Sequence, residues 1–160
     1  DDEVLDFARR TVADGWHVRF IEVMPFGADP KVQGGFVPSG EIRQRIEAAY
    51  GMLEAVRGEG GGPARYYRVP GTAGTIGFIS PLSEHFCFRC NRLRLTANGG
   101  LLPCLMSEQA VDLRTPLRAG ADDAELRDLV LQAIGSKPAG HRMADAEYRP
   151  GATPMSRIGG

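Results

Sequence analysis

Only three cysteines occur in the 160 residues, Cys87, Cys90 and Cys104, at the spacing C-x2-C-x13-C. An odd number so spaced cannot close a disulfide framework; it suits reduced thiols that converge on one metal centre. Three thiolates leave a fourth coordination position without a cysteine. A site with such an opening can bind and activate a ligand, whereas a site closed by four protein ligands is usually structural. The cysteines also dictate a fold, because the chain between Cys90 and Cys104 must double back for the sulfurs to meet. Arg92 to Ala97 alternates arginine or threonine with leucine or alanine, Asn98-Gly99-Gly100 is a turn signal, and Leu101 to Leu105 returns. Strand parity puts Cys90, Arg92 and Arg94 on one face if the strand runs straight from Cys90. A three-residue loop at 98–100 then pairs Arg94 with Cys104 on that face, while a two-residue loop turns Cys104 away. One shared centre therefore predicts the odd loop, or a bulge. Arg92 and Arg94, two residues apart beside an open site, favour an anion or a phosphate-bearing ligand.

The net charge of -1 speaks against general nucleic-acid or membrane-surface binding, which shows as a basic excess. No apolar run is long enough to span a bilayer and no secretory signal opens the chain, so a cytoplasmic location is expected. Val4, Leu5, Ala8 and Val12 recur at helical spacing with Gly15 as the stop. His17 to Met24 then reads as a buried strand closed by Pro25 and Gly27. One helix and one strand cannot bury both their faces, which implies that the N-terminal part of a larger domain is missing. An isolated piece of that kind exposes strand edges and apolar surface, so poor solubility is expected.

A Gly/Pro-rich loop is expected over 25–38. Ser39 then precedes an amphipathic segment with Ile42, Ile46, Ala49 and Tyr50 on one face, ended by Gly51. Residues 57–63, with four glycines, read as a mobile connection. Residues 65–69 and 75–80 read as short strands. A last helix is predicted from about Ala124 to Ile134, with Asp122 and Glu125 as a capping box. The tail to Gly160 is polar, rich in Gly and Pro, and without periodicity.

Cys87-Phe88-Arg89-Cys90-Asn91-Arg92-Leu93-Arg94-Leu95-Thr96, followed by Gly100-Leu101-Leu102-Pro103-Cys104-Leu105, closely resembles the C-terminal cluster motif of the GTP 3′,8-cyclase family. Those are the radical S-adenosylmethionine enzymes that open molybdenum cofactor biosynthesis. Arg19-Phe20-Ile21-Glu22-Val23-Met24-Pro25 resembles the family's last barrel strand. Met155-Ser156-Arg157-Ile158-Gly159-Gly160 resembles its double-glycine tail. The family's N-terminal C-x3-C-x2-C motif, where S-adenosylmethionine is cleaved, has no counterpart here. The resemblance is therefore to the C-terminal half of the enzyme, which alone lacks the first cluster and is expected to be inactive.

The resemblance implies an α/β fold: the C-terminal part of an incomplete (β/α) barrel, then a small antiparallel sheet and helices carrying an auxiliary iron-sulfur cluster. Residues 1–52 would be the last helix-strand-helix of the barrel, and residues 53–160 the auxiliary-cluster and GTP-binding region with its Gly-Gly tail. It implies a [4Fe-4S] cluster on Cys87, Cys90 and Cys104 with one open iron, met by the purine of GTP. It also implies GTP contacts from Arg92, Leu93 and Arg94, a S-adenosylmethionine contact from Met24, and catalytic positions at Arg19, Arg157, Gly159 and Gly160. A second [4Fe-4S] cluster belongs to the missing half, where a 5′-deoxyadenosyl radical abstracts the ribose 3′ hydrogen so that the carbon attacks C8. The expected partners are GTP and, as next enzyme, cyclic pyranopterin monophosphate synthase, with a homodimer when full length and neither nucleic acid nor membrane. Two alternatives stay open. One is a zinc-stabilised nucleic-acid-binding module in which His85 or His141 completes the ligand set and Arg89, Arg92 and Arg94 read the nucleic acid. The other is a different radical S-adenosylmethionine enzyme with an auxiliary cluster. His17, His85 and His141 are otherwise given no role.

Overall fold

A computed structural model describes residues 2–24, 35–58 and 61–143. Pro25, Gly27, part of the glycine-rich connection and the tail residues Arg157, Gly159 and Gly160 lie outside the described residues. The described residues divide into two compact units, one up to Phe86 and one from Cys87 onward.

In the first unit, α1 (Val4–Ala13) presents Val4, Ala8 and Thr11 to the interior, the i, i+4, i+7 stripe of a one-sided helix. Leu5 stays 43% exposed and does not join that stripe. β1 (His17–Ile21) follows, then α2 (Ser39–Tyr50), β2 (Glu54–Val56), β3 (Arg65–Arg68) and β4 (Thr75–Ile79). The sheet order is β1-β4-β3-β2, with β1 parallel to β4 and the other pairs antiparallel. In chain order, residue 52 falls between β1 and the other three strands of this sheet.

Strand parity sorts this sheet into two faces. Phe20, Ile76, Phe78 and Tyr67 pack with Val4, Ala8, Ile42, Ile46, Tyr50, Leu53 and Val69 as a single core. Phe20 and Phe78 stack at 5.9 Å, and Tyr67 meets Phe78 edge-on at 5.7 Å. Ile46 and Ile76 are fully buried, each contributing on the order of 1.5–3 kcal/mol. His17, Arg19, Ile21, Tyr66 and Arg68 take the opposite face.

Three sequence expectations do not hold here. β1 is shorter than 17–24 and is not buried: its residues alternate exposed and half-buried. It pairs on one side only among the described residues, and helices cover one of its faces. Ser39 does not cap α2 through its side chain; Pro38 holds the N-cap position and Ser39 is the first helical residue. Ala49 faces solvent rather than the apolar stripe. Strands β3 and β4 lie where they are predicted, each ending one residue earlier.

Gly74 is where backbones crowd. A Cβ there would lie 2.4 Å from the Thr11 carbonyl oxygen and 2.5 Å from that of Trp16. Only glycine lets the strand pass so close beneath the end of α1.

In the second unit a 3-10 turn (Cys87–Arg89) leads to β5 (Arg94–Leu95), β6 (Gly100–Leu102) and β7 (Val111–Asp112), an antiparallel sheet in that order. Two helices follow, α3 (Arg114–Ala119) and α4 (Asp123–Gly135). The Asp122 carboxylate accepts from the Glu125 N–H at 2.9 Å, and the Glu125 carboxylate accepts from the Asp122 N–H at 3.1 Å, forming the predicted capping box. No described helix is long and apolar enough to cross a membrane.

Candidate metal centre

The three cysteines share the second unit and all are half-buried. Cys87 and Cys90 bracket the 3-10 turn, closed by the Cys90 N–H donating to the Cys87 carbonyl at 3.1 Å. Such a turn brings residues three apart to the same side. From Cys90 the chain does not run as a strand: the ladder starts at Arg94, so strand parity does not order Cys90 against Arg94 as the sequence suggests.

The hairpin has the odd loop, one residue earlier than predicted. Arg94 pairs with Leu102 and Leu95 with Leu101, and the Thr96 N–H donates to the Gly100 carbonyl at 2.9 Å, leaving 97–99 as the loop. Gly99 closes it at φ +87°, a left-handed conformation that favours glycine. The Thr96 hydroxyl accepts from the Gly100 N–H at 2.9 Å and holds the turn shut. Arg94 therefore lies opposite Leu102 rather than Cys104. Continuing the same count would set Cys104 opposite Arg92, but β6 ends at Leu102.

Two sulfurs accept hydrogen bonds. The Met106 N–H points to Cys104 Sγ at 3.5 Å. Burial opposes ionisation of the Cys90 thiol, yet the Arg92 backbone N–H and guanidinium donate to it. The charges of Lys137 and Arg92 add to that pull, and together they hold the thiol below its ordinary value. A thiolate is the metal-binding form, and N–H···S bonds tune cluster potentials. The donor set thus fits a thiolate-ligated cluster in its chemistry. Among the described residues, no three His, Cys, Asp or Glu side chains are grouped closely enough to hold a single metal ion. A cluster places its cysteines on separate irons and accepts wider spacing than one ion does.

In the first unit, Arg19 lines a pocket of about 270 Å³ with His17, Arg57, Tyr66, Arg68 and Thr75. Arg19 is exposed, so it needs no buried counter-charge; its guanidinium lies over the Tyr66 ring at 5.6 Å. His17 Nδ1 is 2.8 Å from the Thr75 hydroxyl, and Arg68 Nε is buried without a hydrogen-bond partner among the described residues. Three guanidiniums with no carboxylate among the lining residues suit an anion. Met24 lies past the end of β1, half-buried.

A family model described as Molybdenum Cofactor Synthesis C matches residues 16–143. The chain belongs to this family. Relatives named GTP 3′,8-cyclase agree: that of Desulforamulus reducens is 49% identical over 162 residues, and that of Pelotomaculum thermopropionicum 48% over 162. That of Moorella thermoacetica is 46% identical over 160 residues. Each comparison covers 100% of this chain and 49% of the relative, so the chain spans about half the length of the curated relatives it matches.

Within this Molybdenum Cofactor Synthesis C chain, sequence reasoning passed over four residues that the structure makes prominent. Arg57 and Arg68 join Arg19 at its pocket; the strand parity of Tyr66-Tyr67-Arg68 was the available signal for Arg68. Glu22 is a buried carboxylate, 3% exposed, at the end of β1. It accepts from the N–H groups of Ser39, Leu82 and Ser83 at 3.0, 2.9 and 3.0 Å, and from the Ser83 hydroxyl. Burial acts to raise its pKa, but these four donors outweigh burial and leave it below the ordinary carboxylate value. An acidic residue in an otherwise apolar strand end was the sequence signal. Lys137, beyond α4, donates to the Arg92 and Pro103 carbonyls at 2.7 Å each, which no sequence pattern announces.

Proposed function

We propose that this chain is the substrate-holding, C-terminal half of a GTP 3′,8-cyclase, the enzyme class that joins the ribose C3′ of GTP to C8 of its guanine. What supports this most is the company the cysteines keep: three half-buried thiols in one compact unit, one of them hydrogen-bonded by Arg92, in a chain of this family. Cys87, Cys90 and Cys104 would hold an auxiliary [4Fe-4S] cluster. When bound, that cluster supplies an iron without a cysteine, to which the purine can coordinate.

The remaining work is done by the chain's own residues. Arg92 and Arg94, with the Leu93 backbone between them, orient the nucleotide. Holding base and ribose rigid makes the bond-forming attack effectively unimolecular, the largest contribution a binding half can make. Arg19 is a nucleotide contact in its own unit, where Arg57 and Arg68 make the pocket attractive to phosphates. Met24 contacts S-adenosylmethionine through its backbone. Arg157, Gly159 and Gly160 enter the active site, since two glycines fit where any Cβ would clash.

Radical generation, with S-adenosylmethionine and a second [4Fe-4S] cluster, is assigned to the part of the enzyme outside this chain. Residues 1–52 complete a (β/α) barrel, and the open face and edge of β1 are what that barrel would cover. The whole enzyme is proposed to be cytoplasmic and homodimeric, passing its product to cyclic pyranopterin monophosphate synthase.

The test is equilibrium GTP binding by the anaerobically reconstituted chain, with ATP as control. Arg92→Ala and Arg94→Ala should each weaken GTP binding by about ten- to a hundredfold, the worth of a charge-assisted hydrogen bond. Equal affinity in the parent and both variants would contradict the assignment.

A further inference from the structure

The antiparallel ladder that frames the cysteines stops short of them. Its outermost pair is Arg94 with Leu102, so Cys90 and Cys104 both lie beyond the last rung. β5 is the edge strand of this sheet and pairs with β6 alone among the described residues, so past that rung the two arms are free to splay. The Lys137 side chain crosses the gap. Lys137 Nζ donates to the carbonyl of Arg92, two residues past Cys90, and to the carbonyl of Pro103, immediately before Cys104, both at 2.7 Å. Two carbonyl dipoles aimed at each other repel; an ammonium between them turns the same arrangement into two charge-assisted bonds.

Lys137 is itself fixed. α4 packs its buried Ala133 inward and ends with Ser136 donating from its N–H to the Gln132 carbonyl at 3.0 Å and from its hydroxyl to that of Ala133 at 2.9 Å. The Lys137 N–H donates to the Ile134 carbonyl at 3.1 Å, and Pro138 forbids further helix. The ammonium is therefore delivered from a rigid element, as precise sites require.

We propose that Lys137 is a positioning residue for the three-cysteine site: it replaces the missing rung of the hairpin and so presents Cys90 and Cys104 to one centre. The same contact orients the Arg92–Leu93 peptide. With its carbonyl held by Lys137, the trans peptide turns the Leu93 N–H the opposite way. That second consequence rests on the cyclase reading, in which the Leu93 backbone meets the nucleotide; the clamp on the cysteines does not.

The experiment is a titration of the reduced, metal-free chain with Cd²⁺, followed by its thiolate charge-transfer absorption, for the parent, Lys137→Met and Lys137→Arg. The described sulfurs are not grouped closely enough to hold a single ion as they stand, so cadmium reports how readily the hairpin lets them close on one, whether the resident group is a cluster or zinc. Lys137→Met should weaken Cd²⁺ by about ten- to a hundredfold, as loss of a group supporting metal ligands does, and Lys137→Arg should recover most of it. Far-UV circular dichroism and the urea midpoint of the metal-free variants separate positioning from folding. Parent-like cadmium affinity in Lys137→Met would overturn the inference. Equal loss in both variants tracking a lowered urea midpoint would also overturn it, because Lys137 would then serve folding alone. A parent chain that gathers no thiolates around Cd²⁺ would overturn it too. Iron uptake by the parent tests the cyclase reading separately: Lys137-dependent cadmium binding in a chain that takes up no iron would sink that reading and leave the clamp standing.

Discussion

Replacing Glu22 should reveal how much of the first unit hangs on one buried carboxylate. Its Oε1 accepts from the Ser39 N–H and the Ser83 hydroxyl, and its Oε2 from the N–H groups of Leu82 and Ser83. It thereby pins the end of β1 to the start of α2 and to the segment after β4. In Glu22→Gln the amide keeps one acceptor oxygen. Its better orientation sets the NH2 where Oε1 was, since the Ser83 hydroxyl can rotate to accept from it. Only the Ser39 N–H then loses its partner, at a cost of about 1–3 kcal/mol for one buried unsatisfied donor. Glu22→Ala strands three backbone donors and should cost at least about 3 kcal/mol on the same scale. Urea unfolding followed by circular dichroism measures both, provided the m-values stay equal. The Gln penalty also has a pH signature. A carboxyl whose folded pKa lies below its unfolded value stabilises fully above the unfolded value, near 4.5, and loses that contribution as pH falls through the folded pKa. The gap between parent and Glu22→Gln should therefore be constant near neutrality and shrink in acid. Both variants within about 0.5 kcal/mol of the parent, the range of ordinary surface changes, would refute the network.

Gly74→Ala should destabilise the chain more than an ordinary surface change in the same urea assay, because the added carbon meets two backbone carbonyls that cannot rotate away. A parent-like midpoint would mean that α1 and β4 are not so close. Asp122→Ala should lose about 1 kcal/mol through the cap of α4, with Asp122→Asn retaining most of it, read from the urea midpoint.

The local signals read well where a single interaction decides the outcome. The Asp122–Glu125 box marks the start of α4, and Asn98-Gly99-Gly100 marks the turn of the hairpin. The odd loop follows from asking three sulfurs to meet, but its position does not. Thr96 closes the loop with its own hydroxyl and draws the register one residue toward the N-terminus, a choice that alternation alone cannot show. The exposure of β1 was missed because an apolar run looks the same whether one face or two are covered. Glu22 and Lys137 were missed for a shared reason. Apart from the Ser83 hydroxyl, their partners are backbone groups 17 to 61 residues away for Glu22 and 34 and 45 for Lys137, and backbone groups leave no trace in residue type. Strands β2 and β7, of three and two residues, carry too short a pattern to read.

The central claim is that Cys87, Cys90 and Cys104 hold an open-iron cluster that meets GTP. It is tested most directly by electron paramagnetic resonance of the anaerobically reconstituted, reduced chain with and without GTP, with iron and zinc measured on the same sample. The account predicts a [4Fe-4S] signal whose g-values shift when GTP is added and do not shift with ATP. Stoichiometric zinc and no GTP response after full iron reconstitution would contradict it and make the three cysteines a structural clip.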